Sequence, residues 1–216
     1  MKLQLSPWIA LAVGLVLTMV ASLEVKKAHE QEAANEFAVT SDQVTLKIQA
    51  RLNAYALILK GGAGFFAASH AVDRREWQAY VEKLRVQDSV PGVQGIGFSQ
   101  VIPPEQLAAH IASMRAEGFP DYRVHPAGER DLYTSIIFLE PFRGRNLRAF
   151  GFDMFSEPVR RAAMEQARDS GAPALSGKVG LVQEPGQEVQ AGTVMYVPVY
   201  RHGAPTDTVE QRRAAL

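Results

Sequence analysis

The chain has 216 residues, 23 basic and 23 acidic, and no cysteine. Balanced charge gives no general attraction to nucleic acid, and the missing cysteine removes disulfides, thiolate catalysis and cysteine metal sites. Hydrophobic residues at 47% and charged residues at 21% describe a globular chain, long enough for one sizeable core or two small ones.

The uncharged run 7–23, PWIALAVGLVLTMVASL, comes first. It is short for a spanning helix and long for a signal-peptide core. Val20-Ala21-Ser22 is a weak cleavage-like pattern, but helical sequence continues straight out of the run and favours an uncleaved anchor. Trp8 suits the headgroup layer. Lys2 precedes the run and Lys26 and Lys27 follow it, so charge orients it poorly. The short tail, residues 1–6, favours a cytoplasmic N-terminus with the rest exported. Residues 24–60 read as one long helix. Its early part is polar, and Phe37, Val44, Ile48, Leu52, Tyr55 and Leu59 then fall at near-heptad spacing. That stripe has two readings: packing on the chain's own domain, or a dimer stalk. Gly61, Gly62 and Gly64 are expected to end the helix.

Asp73-Arg74-Arg75-Glu76 is a capping-box pattern for a helix to about Arg85, with Trp77, Tyr80, Val81 and Leu84 on one side. Pro91-Gly92 reads as a turn and VQGIGFSQVI, 93–102, as a strand. Pro103-Pro104-Glu105 starts a helix that ends near Gly118. Strands are expected at 122–128, at 132–141, which is rich in β-branched and aromatic residues, and at 147–156. Ser156 is placed as the cap of a helix that Pro158 enters and Gly171 closes. Its solvated face would carry Arg160, Arg161, Glu165 and Arg168. ALSGKVGLVQ and GTVMYVPVY read as two more strands around a hairpin-like loop at 185–188. Helices first and an antiparallel sheet after, with short connections, give an α+β fold.

Few motifs carry chemistry. Gly95-Ile96-Gly97 lacks the third glycine of a dinucleotide loop, where Gln100 stands instead. The five histidines are scattered with no metal-ligand spacing, so no metal and no cofactor is expected. Glu129 and Asp131 share a strand face, but surface charge at a strand start is commoner than a catalytic pair. Asp131 has a second reading, a carboxylate pointing inward at the mouth of the sheet, where it would need a partner.

PGVQGIGF, AEGFPDYRVHPAGERDLYTSIIFLEP, GRNLRAFGFDMFSEPVRRAAMEQARDSGAPALSGKV and MYVPVY occur in order along the chain. Together they closely resemble the CHASE domain, the extracytoplasmic sensory module of bacterial histidine kinases and diguanylate cyclases and of plant cytokinin receptors, over about residues 51–200. The resemblance implies a long N-terminal helix followed by PAS-like α+β units, a ligand in the membrane-distal unit, and dimerisation through the long helices. In cytokinin receptors an aspartate in the strand that RDLYTSIIF resembles hydrogen-bonds a purine-like ring, and Asp131 is the matching position. Ser176 matches a small hydroxyl residue nearby, and Tyr133, Phe152 and Met154 would line the apolar part. The aspartate alone does not make a cytokinin site, and the resemblance names no ligand for bacterial members. Where the family continues with another strand, a second membrane helix and an effector, this chain stops at VEQRRAAL, which reads as a helix start. A truncated chain is the expectation.

The resulting division is a cytoplasmic tail at 1–6, a transmembrane helix at 7–23, a stalk helix at 24–60 and an incomplete CHASE-like domain at 61–216. The expected role is a small-molecule sensor anchored in the inner membrane, with its sensory part periplasmic. It would be a homodimer through the stalk, binding an unidentified small molecule and no nucleic acid. A ligand-free structural or dimerisation module and a periplasmic hydrolase are the rival readings. The chain carries no effector motif, so no enzymatic activity is expected of it.

Overall fold

A computed structural model describes residues 6–86, 90, 92–182 and 191–216. The chain divides into two compact units, Met1–Leu52 and Asn53–Leu216. Helix α1, Ser6–Ala68, supplies all of the described part of the first unit. There residues 7–51 are exposed throughout, the apolar run and Phe37, Val44 and Ile48 included. By length and composition α1 is apolar enough to cross a membrane.

The second unit is built on one antiparallel strand pair. β1 (Ile96–Ile102) runs against β2 (Tyr133–Glu140), from Ile96 opposite Glu140 to Ile102 opposite Tyr133. The register slips between Phe98 and Ser99, so Ile137 is the extra residue of a bulge. Its carbonyl is free to accept from Arg74 Nη1 at 2.7 Å. Nearly every β2 residue is buried, because the strand is covered on both faces. Helix α2 (Arg74–Leu84) packs against it. A full capping box holds its start: Glu76 N–H donates to Asp73 Oδ1 at 2.8 Å, and Asp73 N–H donates to Glu76 Oε2 at 3.0 Å. Trp77 of α2, Ile96 of β1, and Ile137 and Phe138 of β2 form the core with Met114, Tyr122 and Val86. Each such large apolar side chain contributes roughly 1.5–3 kcal/mol on burial. Helix α3 (Leu107–Ala116) follows a 3₁₀ turn at Pro104–Gln106 and carries Met114.

The glycines do not end α1; it continues to Ala68. A Cβ on Gly61 would stand 2.8 Å from the Tyr80 hydroxyl, and one on Gly62 would stand 3.5 Å from the Trp77 ring. They let α2 approach closely, and tertiary packing outweighs their helix cost of about 1 kcal/mol each. Phe65 stacks on Tyr80 at 4.9 Å, and Phe66 on Phe98 at 4.2 Å. His202 Nδ1 also reaches the Ala67 carbonyl at 2.8 Å.

The strand expected at 147–156 is absent. Two 3₁₀ turns, Gly144–Ala149 and Met154–Ser156, flank Gly151, whose φ of +83° breaks an extended run. Gly151 N–H donates to Ile136 O at 2.9 Å and Ile136 N–H to Phe152 O at 3.2 Å, while Asp153 N–H donates to His125 O at 2.7 Å. Around 122–128 the only ladder element among the described residues is the single His125–Phe152 bridge.

Helix α4 (Pro158–Ser170) does begin with Pro158 and close on Gly171, which is left-handed at φ +69°. Its cap, however, is Glu157, whose carboxylate accepts from Val159 N–H and Arg160 N–H; the Ser156 hydroxyl donates to Asp153 O instead. Arg160 is not solvated but 5% exposed. Its Nη2 donates to Gly180 O at 2.8 Å, which satisfies the buried guanidinium. β3 (Ala174–Leu175) pairs with β6 (Met195–Tyr196), and β4 (Val179–Gly180) with β5 (Ala191–Gly192), both antiparallel. The described strands thus make three two-stranded antiparallel sheets in an α+β fold. The loop expected at 185–188, and Pro91 of the expected turn, lie outside the described residues. Helix α5 (Val209–Ala215) packs on α4, held by Asp169 between Arg168 and Arg213. Those two guanidinium groups, Arg213 first, hold the Asp169 carboxyl well below the usual range.

Candidate functional site

Two regions stand out in the second unit. The first is a knot around Asp153, which is 0% exposed. Its Oδ1 accepts from Thr134 N–H and Thr134 Oγ1–H, each at 2.9 Å, and from Phe155 N–H at 3.0 Å. Its Oδ2 faces Arg130 Nε at 3.5 Å and makes no hydrogen bond among the described residues. Arg130 in turn donates from Nη1 to Gly128 O at 3.1 Å and lies over the Tyr133 ring. The knot ties β2 to the turn before α4.

The second region is a cavity of about 510 Å³, within the range of roughly 300–1,000 Å³ of ordinary ligand sites. Ile58, Gly62 and Phe66 from the last turns of α1 form one wall, and Met154, Met164 and Ala167 another. The remaining sides are β1 and the stretch 195–202. All six β1 residues from 96 to 101 line it. Among the described residues β1 pairs with β2 alone, which leaves its other edge unpaired. Trp77 Nε1 and Ser99 Oγ, on two lining residues, have no hydrogen-bond partner among the described residues. Tyr80 and Tyr196 also line the cavity, and burial pushes both phenols up, so both stay neutral at physiological pH. No Asp or Glu lines it, whereas His70, Arg168, Arg201 and His202 do.

The residues singled out from the sequence disperse. Asp131 is exposed, and the buried carboxylate at this end of the sheet is Asp153. Tyr133 is buried, its hydroxyl donating to Gly128 O at 3.0 Å. Phe152 is half-buried under the Arg160 guanidinium. Ser176 is buried and its hydroxyl is used locally, accepting from Val194 N–H at 2.9 Å and donating to Gly177 O at 2.9 Å. Met154 alone of the five lines the cavity, where its sulfur accepts from Tyr196 Oη at 3.6 Å. His70 and His202, distant in sequence, meet with ring centroids 6.0 Å apart. No local pattern announces that meeting.

The cavity lies wholly within the second unit, with the last turns of α1 among its walls. No curated protein matches the chain. The family model of the CHASE domain matches residues 70–216. The chain therefore belongs to the CHASE domain family, the extracytoplasmic sensory domains of receptors, which sense rather than catalyse.

Proposed function

We propose that the chain is a small-molecule sensor anchored in the inner membrane by residues 7–23 of α1, with its CHASE domain in the periplasm. The ligand occupies the 510 Å³ cavity. The observation that carries this is the shared wall: Ile58, Gly62 and Phe66 belong to α1, whereas Ile96 to Val101 belong to the sheet. A ligand touching both favours one setting of the helix over another, and differential affinity for two settings is what a signal requires. The exposed residues Phe37, Val44 and Ile48 form the dimer seam in this reading. Met154 contributes to the ligand wall.

The chain has no cysteine, so single cysteines report without background. A Val44→Cys variant in nanodiscs should form an inter-chain disulfide, and its yield should change when a stabilising compound from a periplasmic metabolite panel is added. A yield indifferent to every stabilising compound would separate binding from helix movement and defeat the mechanism. Asp131→Ala should leave the ligand's thermal stabilisation intact. Loss of that stabilisation would move the site to the mouth of β2.

A further inference from the structure

We infer that the second unit carries another binding site, for a small aromatic monocarboxylate, on the loop between α3 and β2. A cavity of about 780 Å³ is formed there by the continuous stretch 118–127 with Leu147, Arg148 and Phe150. It shares no lining residue with the 510 Å³ cavity. Its apolar part is preformed. The Phe150 ring lies 4.8 Å from that of Phe119 and 5.0 Å from that of Tyr122. Arg74, which does not line the cavity, lies over Phe119 at 4.5 Å and over Phe150 at 5.3 Å, and it is itself held by Ile137 O and Glu117. The loop is fixed as well. His125 N–H donates to Gly151 O at 3.0 Å, His125 Nε2 to Phe150 O at 3.1 Å, and Arg115 Nε to Tyr122 O at 3.1 Å. Little ordering remains to be done when something binds, so little contact energy is lost to it.

The second observation is what the cavity leaves unused. Leu147 is 47% exposed, the most exposed large apolar side chain among the described residues after α1. Arg123 and Arg148 line the same cavity, are exposed, and make no ion pair among the described residues. A guanidinium presents paired N–H donors in the geometry of a carboxylate, and it also lies well on aromatic faces. Aromatic rings, an uncovered leucine and two unengaged arginines together call for an occupant with a flat apolar body and an anionic end. Asp121 is the one acidic residue among the described lining residues, and it too is exposed without an ion pair. Two arginines against one aspartate leave one net positive charge, which fits a monoanion and disfavours a dianion.

The test uses the full chain in nanodiscs and four probes: phenylacetate, phenylacetamide, cyclohexylacetate and phenylmalonate. Titration calorimetry reads affinity. Amide resonances of Arg123, Val124 and Leu147 read contact with this cavity, and those of Ser99 and Gln100 report on the other. Phenylacetate should bind and shift the first set alone. The amide should bind about tenfold more weakly, cyclohexylacetate about threefold more weakly, and phenylmalonate no more tightly. Arg123→Gln and Arg148→Gln should each weaken phenylacetate and leave the amide unaffected, with no change in melting midpoint, because both side chains are exposed. Asp121→Asn should help phenylmalonate more than phenylacetate. Phenylacetate that fails to bind, binds no better than its amide, or shifts Ser99 and Gln100 in place of Arg123 and Leu147 overturns the site. Equal binding of cyclohexylacetate, or tighter binding of phenylmalonate, overturns the ligand class. A failure to bind here leaves the sensor reading of the 510 Å³ cavity as it stands, since the two share no residue.

Discussion

The Asp153 knot and the cavity wall lie in one compact unit, and they treat polar atoms in opposite ways. In the knot a single carboxylate oxygen collects three donors, and an arginine faces the other. Along the wall a serine hydroxyl, an indole N–H and a whole strand edge have no partner among the described residues. A fold that brings three donors to one oxygen of Asp153 has the means to satisfy polar groups where stability depends on them. On the proposed reading the knot is scaffold and the wall belongs to the ligand site.

The sharpest way to break that comparison is at the knot. Asp153→Ala removes an acceptor shared by the Thr134 amide, the Thr134 hydroxyl and the Phe155 amide together with the charge facing Arg130, and should cost about 3–5 kcal/mol in urea unfolding. Asp153→Asn should cost clearly less, because it keeps an acceptor at Oδ1. A small loss for alanine would mean that the knot is not the scaffold. Next comes Gly151→Ala. Its positive φ alone should cost about 1–3 kcal/mol, and its Cβ would also press on the Arg123 carbonyl. Thermal melting checks this, and an unchanged midpoint would refute the turn geometry beside Asp153.

A smaller effect is expected at His110, half-buried beside Tyr122 with Nε2 and Oη 2.8 Å apart. Burial lowers its pKa from 6.5. The folded value lies below the unfolded one, so as pH falls through 6.5 the unfolded chain takes up the proton first and stability declines. The decline levels off below the folded value. Denaturation midpoints from pH 7.5 to about 5 should show this slope, and His110→Gln should flatten it. The smallest effect belongs to the wall. Ser99→Ala removes a hydroxyl with no partner to lose, so stability should stay within about 0.5 kcal/mol or rise slightly. A loss comparable to the knot's would show that Ser99 has a structural bond and would erase the contrast.

Local signals were legible in the sequence. The Asp73–Glu76 capping box, β1 and β2, and the Pro158 and Gly171 limits of α4 all rest on residues within one or two turns of each other. Errors arose where distant packing decided. The glycines of α1 make room for Trp77 and Tyr80, which no window around residue 61 contains. Residues 147–156 carry the composition of a strand, yet Gly151 and two 3₁₀ turns fold them back onto Ile136 and His125. Arg160 looked solvated because its acceptor, Gly180, comes from another element. The cavity was the least legible feature. Its lining runs from Ile58 to His202, so no local stretch of sequence contains it.

The contact between His202 and Ala67 reaches further than its size suggests. The last carbonyls of any helix lack donors within the helix, and fraying starts there. In α1 one of these carbonyls is met by a side chain from beyond β6. Opening of the final turn is thereby linked to the seating of residues 197–202. Amide exchange near Ala68 should quicken whenever that stretch lifts away, so the end of the long helix reports on the far side of the domain without any movement of the strands between them.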